Sequence, residues 1–189
     1  MSEIVTDDFT RANGSLGANW VGGSWSIVGN QASCSATGSQ AVLAVWTGGD
    51  DQYAQAQYVT TVMASLDFVG PLVRSVGVPA GLTGYAATVD GTNFVLQRLV
   101  GDYTSLASVV GGVLNDTLRC EVQGTTIRSV LNGVVQSSVT DAAIASGKPG
   151  FTCSAFTVTP VLDNFAAGDF AVPVPRARRG GLVPQQRML

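Results

Sequence analysis

Between residues 24 and 166 the chain is cut into short runs by glycine, aspartate and asparagine, and within each run apolar and polar residues alternate. A period of two puts every second side chain on one face, which suits a half-buried strand and cannot build the apolar stripe of a helix. The runs are Trp25–Val28, Gln31–Ala36, Ala41–Trp46, Tyr53–Met63, Leu66–Arg74, Tyr85–Val89, Asn93–Val100, Thr104–Val109, Thr117–Gln123, Thr126–Leu131, Val134–Val139, Gly150–Phe156 and Val161–Phe165. Asp90-Gly91 separates YAATV from TNFVLQRLV, and Asn132-Gly133 separates TTIRSVL from VVQSSV. Two-residue hairpin turns need positive φ, which Asn, Asp and Gly adopt at least cost. One segment, TDAAIASG, reads as a helix of one or two turns, with Asp141 as its cap and Gly147 as its stop. Short, evenly spaced strands of this kind predict an all-β, two-sheet antiparallel jelly-roll sandwich.

Composition narrows the chemistry. The chain has 189 residues, 46% hydrophobic and 12% charged, with 10 Lys+Arg against 13 Asp+Glu and no histidine. A chain of this size hides roughly 70% of its unfolded surface, enough for one core. Without histidine, Ser-His-Asp hydrolysis, Cys-His proteolysis and His-ligated zinc chemistry are excluded. The sparse charge argues against a nucleic-acid binder. The first 20 residues hold no apolar block of a secretory leader, and no run approaches the roughly 18 apolar residues of a membrane span, so neither signal peptide nor membrane association is expected. Cys34, Cys120 and Cys153 lack C-x-x-C spacing; Cys120 shares parity with Leu118 and Val122, and Cys153 with Phe151 and Ala155. They are expected to be small buried hydrophobes rather than redox or metal groups.

The last 19 residues, AVPVPRARRGGLVPQQRML, change character, with Pro173, Pro175 and Pro184, Arg176, Arg178, Arg179 and Arg187, and no acid. The segment carries +4 and leaves −7 on residues 1–170. Proline favours extended backbone and opposes helix or central strand. The division expected is a sandwich over 1–170 and an extended arm over 171–189, the arm lying along a neighbouring subunit of an oligomeric assembly.

Several segments in order resemble the concanavalin A-like lectin/glucanase superfamily in its laminin-G-like jelly-roll branch. DDFTRANGSLGANW followed by GSWSIVGNQ is similar to its opening strand, turn and next strand. VGPLVRS is similar to its Gly-x-x-x-Arg strand, and TGYAATVDGTNFVLQRLVGDYTSLASV to the pair that follows. LRCEVQGTTIRSVLNGVVQSSVTDAAIASGKPGF is similar to its hairpin, loop and next strand, and VLDNFAAGDF to its closing strand. The resemblance covers about residues 5–170 and implies two sheets, one of them curved, with a concave face that binds glycans in many members.

That family's glycosidases use a Glu-x-Asp-x-x-Glu run, which has no counterpart here; the only glutamates are Glu3 and Glu121. Retaining chemistry needs two carboxyls about 5–5.5 Å apart, so no enzyme is expected. Asp7-Asp8 and Asp50-Asp51 form no Asp-x-Asp-x-Asp loop, and neither metal nor cofactor is expected although relatives often carry calcium near Asp163. A glycan offers an apolar face and hydroxyls, and the candidates to meet them are Trp46, Tyr58, Arg74, Tyr85, Arg98 and Tyr103. Arg74 shares parity with Phe68 and Leu72, and Arg98 with Phe94 and Leu96. Trp20 and Trp25 are expected to be core or rim anchors. Together these features lead to a non-enzymatic adhesive or structural protein on a large assembly, with a bacteriophage virion as the expected setting. A free carbohydrate-binding module is the alternative, ahead of a hydrolase of the same fold.

Overall fold

The structure is a computed structural model that describes residues 2–60, 67–76, 81, 83–154 and 158–170. Sixteen strands run in chain order: β1 Ser2–Asp7, β2 Gly14–Ser15, β3 Trp20–Val21, β4 Trp25–Val28, β5 Gln31–Cys34, β6 Ser39–Leu43, β7 Gln52–Tyr58 and β8 Phe68–Ser75, then β9 Thr83–Val89, β10 Asn93–Val100, β11 Asp102–Val110, β12 Thr117–Gln123, β13 Thr126–Leu131, β14 Val134–Thr140, β15 Lys148–Ser154 and β16 Val161–Asp169. One sheet of nine strands has the order β14-β13-β12-β7-β16-β5-β4-β2, with β1 also on β16, and the other of seven has the order β11-β10-β9-β8-β15-β6-β3. Every pairing is antiparallel. The protein is therefore the two-sheet jelly-roll sandwich that the alternation predicts.

Both hairpin turns lie where the dipeptides place them, with Gly91, Asn132 and Gly133 at φ 73°, 50° and 80°. The predicted helix is absent. Asp141 does cap, accepting the Ala143 N–H at 2.8 Å, but the same carboxylate also takes Tyr85 and Arg98. The tertiary bonds hold 141–147 as an irregular loop, and helix propensity over so few residues cannot compete. Trp46 lies beyond the end of β6, so Ala41–Trp46 is not one strand. The far ends of the runs expected at Tyr53–Met63, Leu66–Arg74 and Gly150–Phe156 reach beyond the described residues, as does the whole 171–189 arm with Pro173, Pro175, Arg176, Arg178, Arg179, Pro184 and Arg187.

The inner faces of both sheets meet in one core, and Trp20 and Trp25 are part of it. Phe151 of β15 is the hub: its ring centroid is 4.5 Å from Trp20 and from Trp25, 5.8 Å from Phe165 and 6.0 Å from Phe9. The cysteine expectation is corrected here. Cys34 on β5 and Cys153 on β15 form a disulfide that ties one sheet to the other, with Cα atoms 6.7 Å apart. Only Cys120 is a buried free thiol, and burial pushes its thiol well above the usual range.

The two sheets bring edge strands β11 and β14 to the same side. β14, VVQSSVT, carries no charge, and β11 carries only Asp102. Each is bulged: the β10–β11 register slips after Leu96, leaving Leu106 unpaired, and the β13–β14 register slips after Ser129, leaving Gln136 unpaired.

Candidate functional site

Four of the six residues that sequence selects fall into one hydrogen-bonded chain at an end of the sandwich. Trp46 Nε1 donates to Gly49 O at 3.1 Å, and Gln52 Nε2 donates to Gly49 O and Gly147 O. Gln52 Oε1 accepts the Arg74 N–H at 3.2 Å. Arg74 donates from Nε to Asp50 O and from Nη1 to Ile144 O, both at 2.9 Å, with Asp51 3.5 Å from Nη2. The Ile144 N–H donates to Tyr85 Oη at 3.1 Å; Tyr85 donates to Asp141 Oδ1 at 2.7 Å, and Arg98 Nη1 to Asp141 Oδ2 at 2.8 Å. The parity that marked Arg98 thus reports a polar edge to the core, whereas Arg74 shares parity with Leu72 of a separate cluster outside that core and stands at a positive φ, and the donors of both serve 49–52 and 141–147. Arg74, at φ 52°, and Tyr85 are buried, and their side chains bond within the protein. Tyr58 is also buried, in the core among inward-facing neighbours of β7; burial raises its phenol.

Burial raises the Tyr85 phenol to about 12, helped by its bond to Asp141. Burial alone would raise Asp141, but the bonds from Tyr85, Ala143 and Arg98 more than reverse it and hold the carboxyl below its usual value of 3.8. Asp7 is lowered from 3.8 in the same way, burial being overcome by Arg11, Trp20 and the Phe9 N–H. A carboxyl lowered by folding adds stability that is complete above the unfolded value and is lost as pH falls through the folded one. The melting temperature is therefore expected to hold down to about pH 4 and to drop below it. In Asp141→Asn the acid limb should be shallower in a pH series of thermal melts; an unchanged limb would show that this carboxylate contributes nothing.

Tyr103 is the one candidate on the outer face of the seven-stranded sheet. Its ring meets Phe68 with centroids 4.5 Å apart. Phe68 starts β8 and Tyr103 lies on β11, three strand spacings across and level with the far, Val73 end of β8, which in a flat sheet is about 14 Å across and about 17–20 Å along the strand. Two aromatic side chains cannot span that diagonal, so the sheet bows and the tip of the β10–β11 hairpin folds toward β8. Val42, Leu72, Ala86 and Leu99 form a small apolar cluster there with Tyr103 packed against it. Among them sit Thr88 and Gln97, 0% and 8% exposed. Thr88 Oγ1, Gln97 Oε1 and the Tyr103 hydroxyl find no hydrogen-bond partner of good geometry in the protein. Thr152 is the polar side chain beside the Tyr103 hydroxyl, and burial raises that phenol. Thr88 and Gln97 were missed in the sequence, although parity with Ala86 and Leu99 marks them as outer-face residues of β9 and β10.

Among the described residues no three His, Cys, Asp or Glu side chains gather as a metal site would require. Glu121 is occupied by Arg119 at 3.2 Å and Arg128 at 3.9 Å, each a cation.

No protein-family model and no curated protein sequence matches the chain. Solved structures do share its fold. A carbohydrate binding module, CBM66 from Bacillus subtilis, aligns with TM-score 0.66 and 17% identity over 79% of this chain and 94% of that one. The carbohydrate recognition domain of Emp47p aligns with TM-score 0.60 and 13% identity over 86% and 93%. LamAcat from Zobellia galactanivorans aligns with TM-score 0.61 and 4% identity over 88% and 96%. At such identities the likeness establishes the lectin-like jelly-roll fold, which hosts unrelated functions.

Proposed function

We propose that the chain is a non-catalytic carbohydrate-binding module that takes its glycan on the bowed outer face of the seven-stranded sheet. The observation that carries this reading is the Phe68–Tyr103 ring pair on that face, with centroids 4.5 Å apart and both residues partly exposed. Such rings can take the apolar face of a sugar while its hydroxyls stay hydrated at the rim. The similar folds of CBM66 and the Emp47p recognition domain support the same reading.

Phe68→Ala with Tyr103→Ala tests it. If the face is only packing, removing the rings leaves binding untouched. If it is the site, the double variant stays folded by circular dichroism and loses at least roughly tenfold in affinity on an array of neutral oligosaccharides. Unchanged affinity sinks the proposal, and turnover of β-glucan by the full chain would favour a hydrolase instead.

The charge opposition between residues 1–170 at −7 and 171–189 at +4 supports a second element of the reading, an adhesive module tethered by its arm to neighbouring subunits. Arginine forks suit carboxylates and carbonyls on such a surface. Display on a large assembly such as a phage particle would fit this, and an inter-sheet disulfide suits work outside a reducing cytosol.

A further inference from the structure

β16 changes neighbour along its length. Phe165 to Asp169 pair with β1, whereas Val161 and Leu162 pair with β5, so Asp163 and Asn164 have no strand beside them on that edge. On the opposite edge the register with β7 slips between Asp163 and Ala166, and Asn164 stands at φ 50°. The nine-stranded sheet is notched at this point, and a cleft of about 800 Å³ opens between β1, the loop before β3 and the bulge of β16.

The cleft's charges are already committed. Arg11 donates from Nη1 to Asp7 Oδ1 at 2.7 Å, and from Nη2 to Asp7 Oδ2 at 3.0 Å and Leu16 O at 2.6 Å. Asp7 also accepts Trp20 Nε1 at 2.7 Å and the Phe9 N–H at 2.8 Å. Among the described residues that line the cleft, no cation is left to hold a phosphate or sulfate. One further carboxylate, Asp8, takes the Thr10 N–H and is too little for a metal ion, which wants several oxygen ligands. The groups that remain are neutral. Thr6 and Asn19 make no side-chain bond; Gln55 uses only its Oε1, toward Arg119, and Asn164 only its Nδ2, toward Gln57. Free donors and free acceptors are therefore both present in the notch, with Ala18 as a small apolar wall. A sugar hydroxyl both donates and accepts, so vicinal hydroxyls suit such a set, whereas an anion needs donors only.

We propose that this notch is a second saccharide site, taking a neutral mono- or disaccharide unit through Thr6, Asn19, Gln55 and Asn164. The cleft lies in the usual size range of small-molecule sites, about 300–1,000 Å³. It is formed by the nine-stranded sheet and does not depend on the outer face of the other sheet, so a chain with both would bind glycan at two points.

The test is a titration of isotope-labelled full-length protein with neutral oligosaccharides of mannose, glucose and fructose, followed by amide chemical shifts. Signals of Thr6, Asn19, Gln55 and Asn164 are expected to move with at least one probe by about 10 mM, an affinity of roughly 3 kcal/mol or more. Asn19→Ala with Asn164→Gly removes both amides while glycine keeps the positive φ. This variant should lose those shifts by roughly tenfold in apparent affinity, with the protein still folded and with unchanged shifts at Phe68 and Tyr103. No movement of the notch signals with any probe overturns the inference, as does movement that survives the double variant. Notch shifts without outer-face shifts would leave this inference standing and defeat the site proposed above.

Discussion

Reduction of the Cys34–Cys153 bond, or its replacement by alanine at both positions, is expected to cost about 4–5 kcal/mol of stability. The bridge closes a loop of 119 residues, and the chain-entropy argument gives about 4.9 kcal/mol for removing that constraint from the unfolded state. Measured bridges span about 0–5 kcal/mol, so this one is placed at the top of the range by loop length alone. Both sulfurs sit in the core, so the alanine pair also loses some apolar contact. For a domain of this size each kcal/mol moves the melting temperature by about 2–4 °C, so a fall of roughly 10–15 °C is expected in reductant. Calorimetry with and without reductant reads it directly. If both conditions melt together, the bridge does not constrain the unfolded chain.

Phe151→Ala should be comparably damaging, at about 3–5 kcal/mol. Phe151 is fully buried on β15 and meets two rings of the other sheet, Trp25 and Phe165, and two neighbours, Phe9 and Trp20. Deleting it loses the transfer energy of the ring and leaves a cavity whose aromatic walls are too rigid to close. Typical domains hold only about 5–15 kcal/mol, so either change alone is survivable while both together approach the whole reserve. Urea midpoints for Phe151→Ala and Phe151→Leu should differ, leucine recovering part of the loss. Equal midpoints for Phe151→Ala and the parent would show that the hub is not packed as described.

How legible this was in the sequence depends on range. The hairpins at Asp90-Gly91 and Asn132-Gly133 and the alternation of β9, β10, β12 and β13 are local, set by φ preference and period, and their strands could be read off directly. The pairing of Cys34 with Cys153 was not, because parity says that Cys153 is buried but not that β5 and β15 face each other across the core. The same limit applies to the site. Parity placed Arg74 and Arg98 on an apolar face, yet whether such a residue looks into a groove or toward a loop is decided by 141–147, which arrives from far along the chain. Local propensity even suggested a helix there. Thr88 and Gln97 drew no attention because neutral side chains in a strand are ordinary, and only their missing partners in the folded protein set them apart.

The unpaired residues Leu106 and Gln136 have a consequence at high density. Strands as free of charge as β11 and β14 would, if flat, offer themselves to the margins of other copies and grow into ribbons and then fibres. A kink in each interrupts the hydrogen-bond template, since an added strand could match only a few residues before falling out of step. The protein can therefore be concentrated and stay a dispersion of separate particles.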